Sequence, residues 1–215
     1  MTAEDRQALL TALTTEHFTL QGARSTTVSE NTGRSSIYLT AVSSALIALG
    51  FIGQVSDLGD TFRLFSLAVI PVLFWLGVLT YVRVLEKSIE DLYYARAINR
   101  VRHYYLELAG ADARYFLLRG NDDVAGVFAN MATSPSRAQL LYSAATTIGV
   151  VNSVVGGSGI ALVVGAAWDP SPGVAVGCGA AAALALTVAH LVHERRTFTH
   201  ALAGIEVQFP SAQHT

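Results

Sequence analysis

The sequence has little charge and almost no cysteine. Charged residues make up 14% of its 215 residues, whereas soluble domains contain roughly 25%. The 14 Lys and Arg against 16 Asp and Glu give a net charge of −2, so the sequence lacks the basic excess typical of nucleic-acid-binding proteins. Because Cys178 is the only cysteine, an intramolecular disulfide and a multi-cysteine metal or iron–sulfur centre are excluded.

Apolar residues dominate instead, at 52% of the chain with a mean hydropathy of +0.43. A bilayer has a hydrocarbon core of roughly 30 Å, which takes about 20 apolar residues to cross. The predicted spans are residues 35–55, 64–82, 140–163 and 173–192. The third lies within a longer zone without Asp, Glu, Lys or Arg, and a Trp-Asp-Pro-Ser-Pro turn at 168–172 separates it from the fourth. We therefore predict an all-α, polytopic helical membrane protein with four transmembrane helices.

The basic residues predict the orientation of these spans. Thirteen of the fourteen lie before the first span, between the second and third, or after the fourth, whereas Arg63 alone lies on the opposite side. Loops rich in Lys and Arg remain in the cytoplasm. Both termini and the central segment should therefore be cytoplasmic, in a multi-pass protein of the plasma (inner) membrane.

The resulting organisation has five segments. They are a cytoplasmic N-terminal amphipathic helix (1–34), transmembrane hairpin 1 (35–82), a cytoplasmic helical stalk and loop (83–138), transmembrane hairpin 2 (139–193), and a cytoplasmic C-terminal helix and tail (194–215). Apolar residues recur at spacings of three and four from Leu85 to Leu108, which predicts an amphipathic helix. Neither Pro nor Gly separates it from the second span, so a long cytoplasmic helical extension of that span is expected. The C-terminal helix should end near Glu206, and residues 209–215 should fray.

Polar residues inside the predicted spans are few. The main hydroxyls are Ser43, Ser44, Thr146 and Thr147, and Asn152 is the only amide deep in a span. Such groups either form interhelical hydrogen bonds or line a pore, and the first role is favoured. Because no Asp, Glu, Lys or Arg lies inside a predicted span, the sequence argues against a proton-relay pump and a voltage sensor.

Small residues recur at every fourth position of the third and fourth spans. The residues that define this pattern are Gly149, Ser153, Gly157, Gly173, Gly177 and Ala181. Small residues allow two helix backbones to approach closely in lipid. The pattern predicts a packed helix hairpin, with a subunit interface or a pore wall as alternatives.

Outside the spans, two basic clusters could bind ligands. Arg96, Arg100 and His103 follow one another along the stalk, where they could bind an anionic ligand or lipid headgroup, although a solvated or subunit-facing surface is favoured. His190, His193 and His200 share a helix face, where they could bind a metal, respond to pH or anchor the helix end, of which anchoring is the simplest interpretation. The sequence contains no Walker loop, dinucleotide fingerprint or Gly-x-Ser-x-Gly elbow. We therefore predict no enzyme activity, no cofactor and no metal.

Four short strings carry a resemblance to known proteins. They are ARS at 23–25 with Arg34, AVSS at 41–44, RHYYLEL at 102–108 and DDVAGV at 122–127. Together they resemble a family of uncharacterised bacterial four-span integral membrane proteins. The resemblance spans most of the chain and implies a bacterial membrane protein, with no established activity to carry over. In layout the chain is also similar to the two-span membrane effectors of bacterial nucleotide-signalling defence systems.

These observations favour two functional hypotheses. The first is an oligomer that forms or gates an ion-conducting pathway, because a long cytoplasmic helix joins directly to a span that contains Pro71. The second is a non-conducting membrane scaffold that binds a cytoplasmic partner through its helical stalk. A small-solute transporter ranks third. The expected partners are the lipid bilayer, further copies of the chain, and either a cytoplasmic protein or an anionic lipid, but no nucleic acid.

Overall fold

The computed structural model describes residues 1–133, 143–168 and 170–211. Helix makes up 86% of the structure, and the described residues contain no strand. The all-α prediction is therefore confirmed. The predicted start of the third span at 140–142, together with Arg137 and Asp169, lies outside the described residues.

The described residues form five α-helices and one 3-10 helix. The α-helices are α1 (Ala3–Val55), α2 (Asp60–Ala109), α3 (Val124–Asn130), α4 (Ala144–Trp168) and α5 (Pro172–Ala203), and the 3-10 helix covers Gly110–Tyr115. Four of them, α1, α2, α4 and α5, are long and apolar enough to cross a membrane. The four long apolar helices predicted from the sequence are thus present.

Helices α1 and α2 are each longer than one predicted segment. Helix α1 has 53 residues and continues past residue 34, and α2 has 50 residues and includes Pro71. At the start of α1, the Thr2 hydroxyl accepts a hydrogen bond from the Asp5 amide while the Asp5 carboxylate accepts one from the Thr2 amide. This reciprocal cap satisfies two amides that lack partners at a helix start. A tight turn follows α1, where Asp57 and Leu58 adopt positive φ angles of 52° and 58°.

The chain forms two compact units. Unit 1 contains Met1–Glu30 with the described parts of Lys87–Gln139 and Ala201–Thr215, and unit 2 contains Asn31–Glu86 with the described parts of Leu140–His200. In unit 1 the first turns of α1 pack on α2 through a core of Leu20, Ile98 and Val101. An ion pair of 2.8 Å between Arg24 and Asp91 joins the same two helices.

The C-terminal segment of unit 1 differs from the sequence prediction. Helix α5 ends at Ala203, three residues before Glu206. Residues 209–211 were expected to fray, but they are hydrogen-bonded to the turn at residues 121–123. That prediction is wrong for these three residues because the turn supplies acceptors and a donor that local sequence does not reveal.

Candidate functional site

Unit 2 has a polar interior. Seven polar or titratable side chains of α1, α2, α4 and α5 meet there, and all but His190 are buried. We call them the polar core, which consists of Tyr38, Tyr81, Thr146, Asn152, Ser153, His190 and Glu194. Large apolar side chains such as Ile47, Leu64 and Leu184 point outward on the same helices. A water-soluble bundle would have the opposite distribution.

Asn152 and Tyr38 form the first part of the polar core. The Tyr38 hydroxyl donates a hydrogen bond of 3.1 Å to the Asn152 side-chain oxygen. Gly77 makes this approach feasible, because a Cβ there would lie 2.6 Å from the Tyr38 hydroxyl oxygen and would clash directly with the Asn152 carboxamide. The Asn152 Nδ2 atom is buried and has no hydrogen-bond partner among the described residues. A buried donor without an acceptor is costly, so the Asn152 amide can donate a hydrogen bond to a further polar partner.

His190, Ser153 and Tyr81 form the second part. The Tyr81 hydroxyl donates to the His190 backbone oxygen at 2.6 Å, and the two rings meet edge to face at 4.5 Å. The His190 Nδ1 atom lies 2.8 Å from the Leu186 backbone oxygen and 3.2 Å from the Ser153 hydroxyl oxygen. Because Ser153 donates its own hydrogen to the Gly149 oxygen, we assign the ring hydrogen to Nδ1. Helices α4 and α5 come close here because residue 149 is a glycine.

Glu194 forms the third part and is 2% exposed. Its two carboxylate oxygens accept hydrogen bonds from the hydroxyls of Ser143, at 2.7 Å, and Thr146, at 2.8 Å. Ser143 also accepts a hydrogen bond from the Thr146 amide and so caps the start of α4. The positive end of the α4 dipole therefore lies beside the carboxylate. Within the described part of the chain, no basic side chain forms an ion pair with Glu194.

The structure brings only some of the predicted polar residues into this interior. Thr146 and Asn152 belong to the polar core. Ser43, Ser44 and Thr147 are exposed on the outside of unit 2, where Ser43 and Thr147 donate to backbone oxygens of their own helix turn. Sequence reasoning missed Tyr38, Tyr81 and Glu194, since aromatic hydroxyls near the ends of the predicted spans and a carboxylate two residues beyond the predicted fourth span gave no signal of burial.

Only some of the predicted small residues lie at the contact between α4 and α5. Gly149, Ser153 and Gly157 face α5, and a Cβ on Gly157 would lie 2.5 Å from the Gly179 backbone oxygen. On α5 the contact involves Gly179 and Ala183. The predicted residues Gly173, Gly177 and Ala181 are exposed instead. A shift of two positions turns a side chain by about 200° around a helix of 3.6 residues per turn, so these three lie on the far side of α5.

Unit 1 contains a second group of interest, around Asp122. Arg96 donates to the Asp122 backbone oxygen at 2.6 Å, and Arg100 forms an ion pair of 2.6 Å with the Asp122 carboxylate. His103 stacks on Phe209 with 3.7 Å between ring centroids. The predicted basic line therefore makes contacts within the chain, and its guanidinium groups are largely engaged there.

Asp122 also holds the C-terminal segment. Its carboxylate accepts the amide of Phe209 at 2.8 Å and that of Gln208 at 3.2 Å. Burial alone would raise the pKa of Asp122, but the Phe209 amide and the Arg100 guanidinium outweigh it and hold the pKa below its usual value. The neighbouring Asp123 accepts hydrogen bonds from the amide and hydroxyl of Ser211. We call residues 121–123 with their bound segment 208–211 the C-terminal clasp.

Metal ligation receives no support from the histidines of α5. Among residues 1–133, 143–168 and 170–211, no group of three or more His, Cys, Asp or Glu side chains could hold a metal ion. His190 lies in the polar core, whereas His193 and His200 are exposed.

No family model, curated protein or solved structure matches this chain. The function must therefore be inferred from the contacts described above.

Proposed function

We propose that this chain is a four-span protein of the bacterial plasma (inner) membrane, with both termini and residues 83–133 in the cytoplasm. The four long apolar helices and the outward-facing apolar side chains support insertion. The distribution of arginines supports the orientation.

Within that membrane, we propose that an oligomer of the protein forms or gates an ion-conducting pathway. The observation that carries this proposal is the polar core, because six of its members are buried among helices of membrane-spanning length. Polar side chains are expensive in lipid and are retained mostly where they serve ion or solute passage or helix association. The single carboxylate of the polar core, Glu194, favours passage of a small cation.

An oligomer is supported by the exposed face of α5. Only 6% of the most apolar window of α5 is buried, compared with 28% for α4. Gly173, Gly177 and Ala181 lie on that face, and small residues at four-residue spacing are typical of helix pairs in membranes. Copies of the chain should therefore pack through α5.

Reconstitution tests the conduction proposal. The purified chain in liposomes should pass cations, and Asn152→Leu should lower the flux by roughly tenfold or more, because it replaces the polar amide at the contact with Tyr38 by an apolar group. Ser158→Val is the matched control, since Ser158 is exposed on the same helix and bonds only to its own helix turn. If vesicles containing the wild-type protein show no ion flux at any tested pH or voltage and with any common cation, the proposal is refuted.

The scaffold function remains the second candidate, and one feature of unit 1 favours it. Residues 115–118 form the apolar sequence Tyr-Phe-Leu-Leu, and all four side chains are exposed, Leu117 by 94%. A run of exposed large apolar residues usually marks a contact surface. If the protein is a scaffold, Leu117→Ser should abolish co-purification of its cytoplasmic partner without lowering the thermal stability of the chain. Retention of the partner by this variant would exclude the loop as its binding surface.

A further inference from the structure

We propose that the Glu194 carboxylate, together with the hydroxyl oxygens of Ser143 and Thr146, is a binding site for a small monovalent cation, either a proton or a sodium ion. The inference deepens the proposed ion pathway and rests on it for its physiological meaning. The binding itself can be measured without any flux.

The Glu194 carboxylate has no compensating cationic side chain within the described parts of the chain. Glu194 is 2% exposed, and burying an ionised carboxylate is unfavourable unless a positive charge compensates it. The start of α4 supplies only about half of an elementary charge. The two hydroxyls supply dipoles and no net charge. A cation at the carboxylate would remove the remaining imbalance.

The groups that face Glu194 come from α2, from α5 and from the start of α4. From α4 come Ser143 and Thr146, and the described residues of α4 include no titratable side chain. From α2 comes Tyr81, whose hydroxyl is engaged with the His190 backbone oxygen. From α5 itself, His190 lies one turn earlier with Nδ1 committed to Leu186 and Ser153.

Further along α5, His193, Arg195 and Arg196 are exposed, and none is within ion-pair distance of the carboxylate. Among the residues that the structure describes, no cationic side chain therefore occupies the place that a ligand would take.

The oxygen atoms at this site suit a small cation. Two carboxylate and two hydroxyl oxygens are the hard ligands that a sodium ion accepts, as other hard cations do. For a proton, an O–H bond forms on one carboxylate oxygen, and that group then donates to a hydroxyl that had previously donated to it. In both cases the cation changes how α5 holds the start of α4.

Carbodiimide labelling tests the site on the full-length protein in nanodiscs. Dicyclohexylcarbodiimide adds to a protonated carboxyl in an apolar environment and leaves a stable adduct that mass spectrometry locates on the peptide. At one and the same pH, Glu194 should label at least about tenfold faster than exposed glutamates such as Glu206, because it is buried among apolar helices. Glu206→Gln is the control, because Glu206 is exposed and its loss should leave the labelling unchanged.

Two comparisons distinguish binding of a sodium ion from binding of a proton. If sodium ions bind, replacing a large organic cation by sodium at constant pH should slow the labelling several-fold. If only a proton binds, sodium should have no effect while the pH dependence remains. Thr146→Val retains the carboxylate but removes one oxygen, so it should shift the pH or sodium dependence even if Glu194→Gln does not fold.

Labelling of Glu194 that is no faster than that of exposed glutamates, or that responds neither to pH nor to sodium, would overturn the inference. Cation-dependent labelling of a protein that conducts no ions would support the site and refute the conduction proposal. Ion flux that is unchanged in Glu194→Gln, with no labelling of Glu194 in the wild type, would support conduction and refute the site.

Discussion

Replacing Asp122 should release the C-terminal segment from the clasp. In the variant Asp122→Ala, the amides of Gln208 and Phe209 lose their acceptor, and Arg100 loses its carboxylate. The Asp122 side chain is fully buried, so water replaces it poorly. The segment would then be held mainly by the contacts of Asn121 and Asp123 and by the backbone amide of residue 122, which donates to the Phe209 oxygen.

The expected size of this effect follows from the three contacts. A hydrogen bond to a charged group contributes about 1.5–3 kcal/mol. The Gln208 contact is long at 3.2 Å, and the Arg100 side chain is 43% exposed, so both contribute less than the Phe209 amide. We expect the local stability of the segment to fall by about 3 kcal/mol, which corresponds to roughly 100-fold faster amide exchange.

Hydrogen–deuterium exchange of the full-length protein in detergent measures this change directly. Peptides covering residues 204–215 should lose protection in Asp122→Ala, and Asp122→Asn should lie between the wild type and Asp122→Ala, because its amide oxygen still accepts one hydrogen bond. The control is Asp112→Ala, which removes an exposed carboxylate 3.9 Å from Arg114. If exchange of these amides in Asp122→Ala stays within about twofold of the wild type, the clasp does not hold the segment and the reasoning fails.

Two further predictions concern the other contacts. Gly77→Ala should lower the stability in detergent by about 1–3 kcal/mol, measured as a lower unfolding temperature, because its Cβ would overpack against Asn152 and Tyr38. Gly33→Ala, whose Cβ would meet open space, should be neutral or stabilising, and equal effects of the two variants would argue against the close approach at Gly77. Burial, and secondarily the charge of Arg102, lowers the pKa of His17 from its usual 6.5. The unfolded chain therefore takes up a proton at His17 that the folded chain resists. Stability should fall as the pH drops below about 6.5 and level off below the pKa of His17 in the folded chain. His17→Gln should remove this slope from pH-dependent melting curves.

Much of the helical structure could be predicted because it depends on local composition. Uncharged segments of sufficient length predicted the four long apolar helices, and the three- and four-residue spacing after Leu85 predicted that α2 would be long. Both features follow from short-range backbone hydrogen bonding and from apolar periodicity, which neighbouring residues carry.

The candidate site could be predicted only in part. Asn152 and Thr146 attracted notice as polar residues within apolar runs, and both are buried in the polar core. Glu194 did not, because it follows the last apolar run and resembles any charged residue at a helix end. Its burial depends on Ser143 and Thr146, which lie about 50 positions away in the chain.

For this protein the sequence alone determined the class of fold, since the need to satisfy backbone groups in apolar segments leaves helices as the simplest solution. The tertiary structure alone decided which faces of those helices meet. Gly179 and Ala183, rather than Gly177 and Ala181, contact α4, and residues 208–211 bind the turn at 121–123. The physical reason is that helical periodicity specifies which residues share a face, while the choice of partner face depends on shape and hydrogen bonds between residues far apart in the chain.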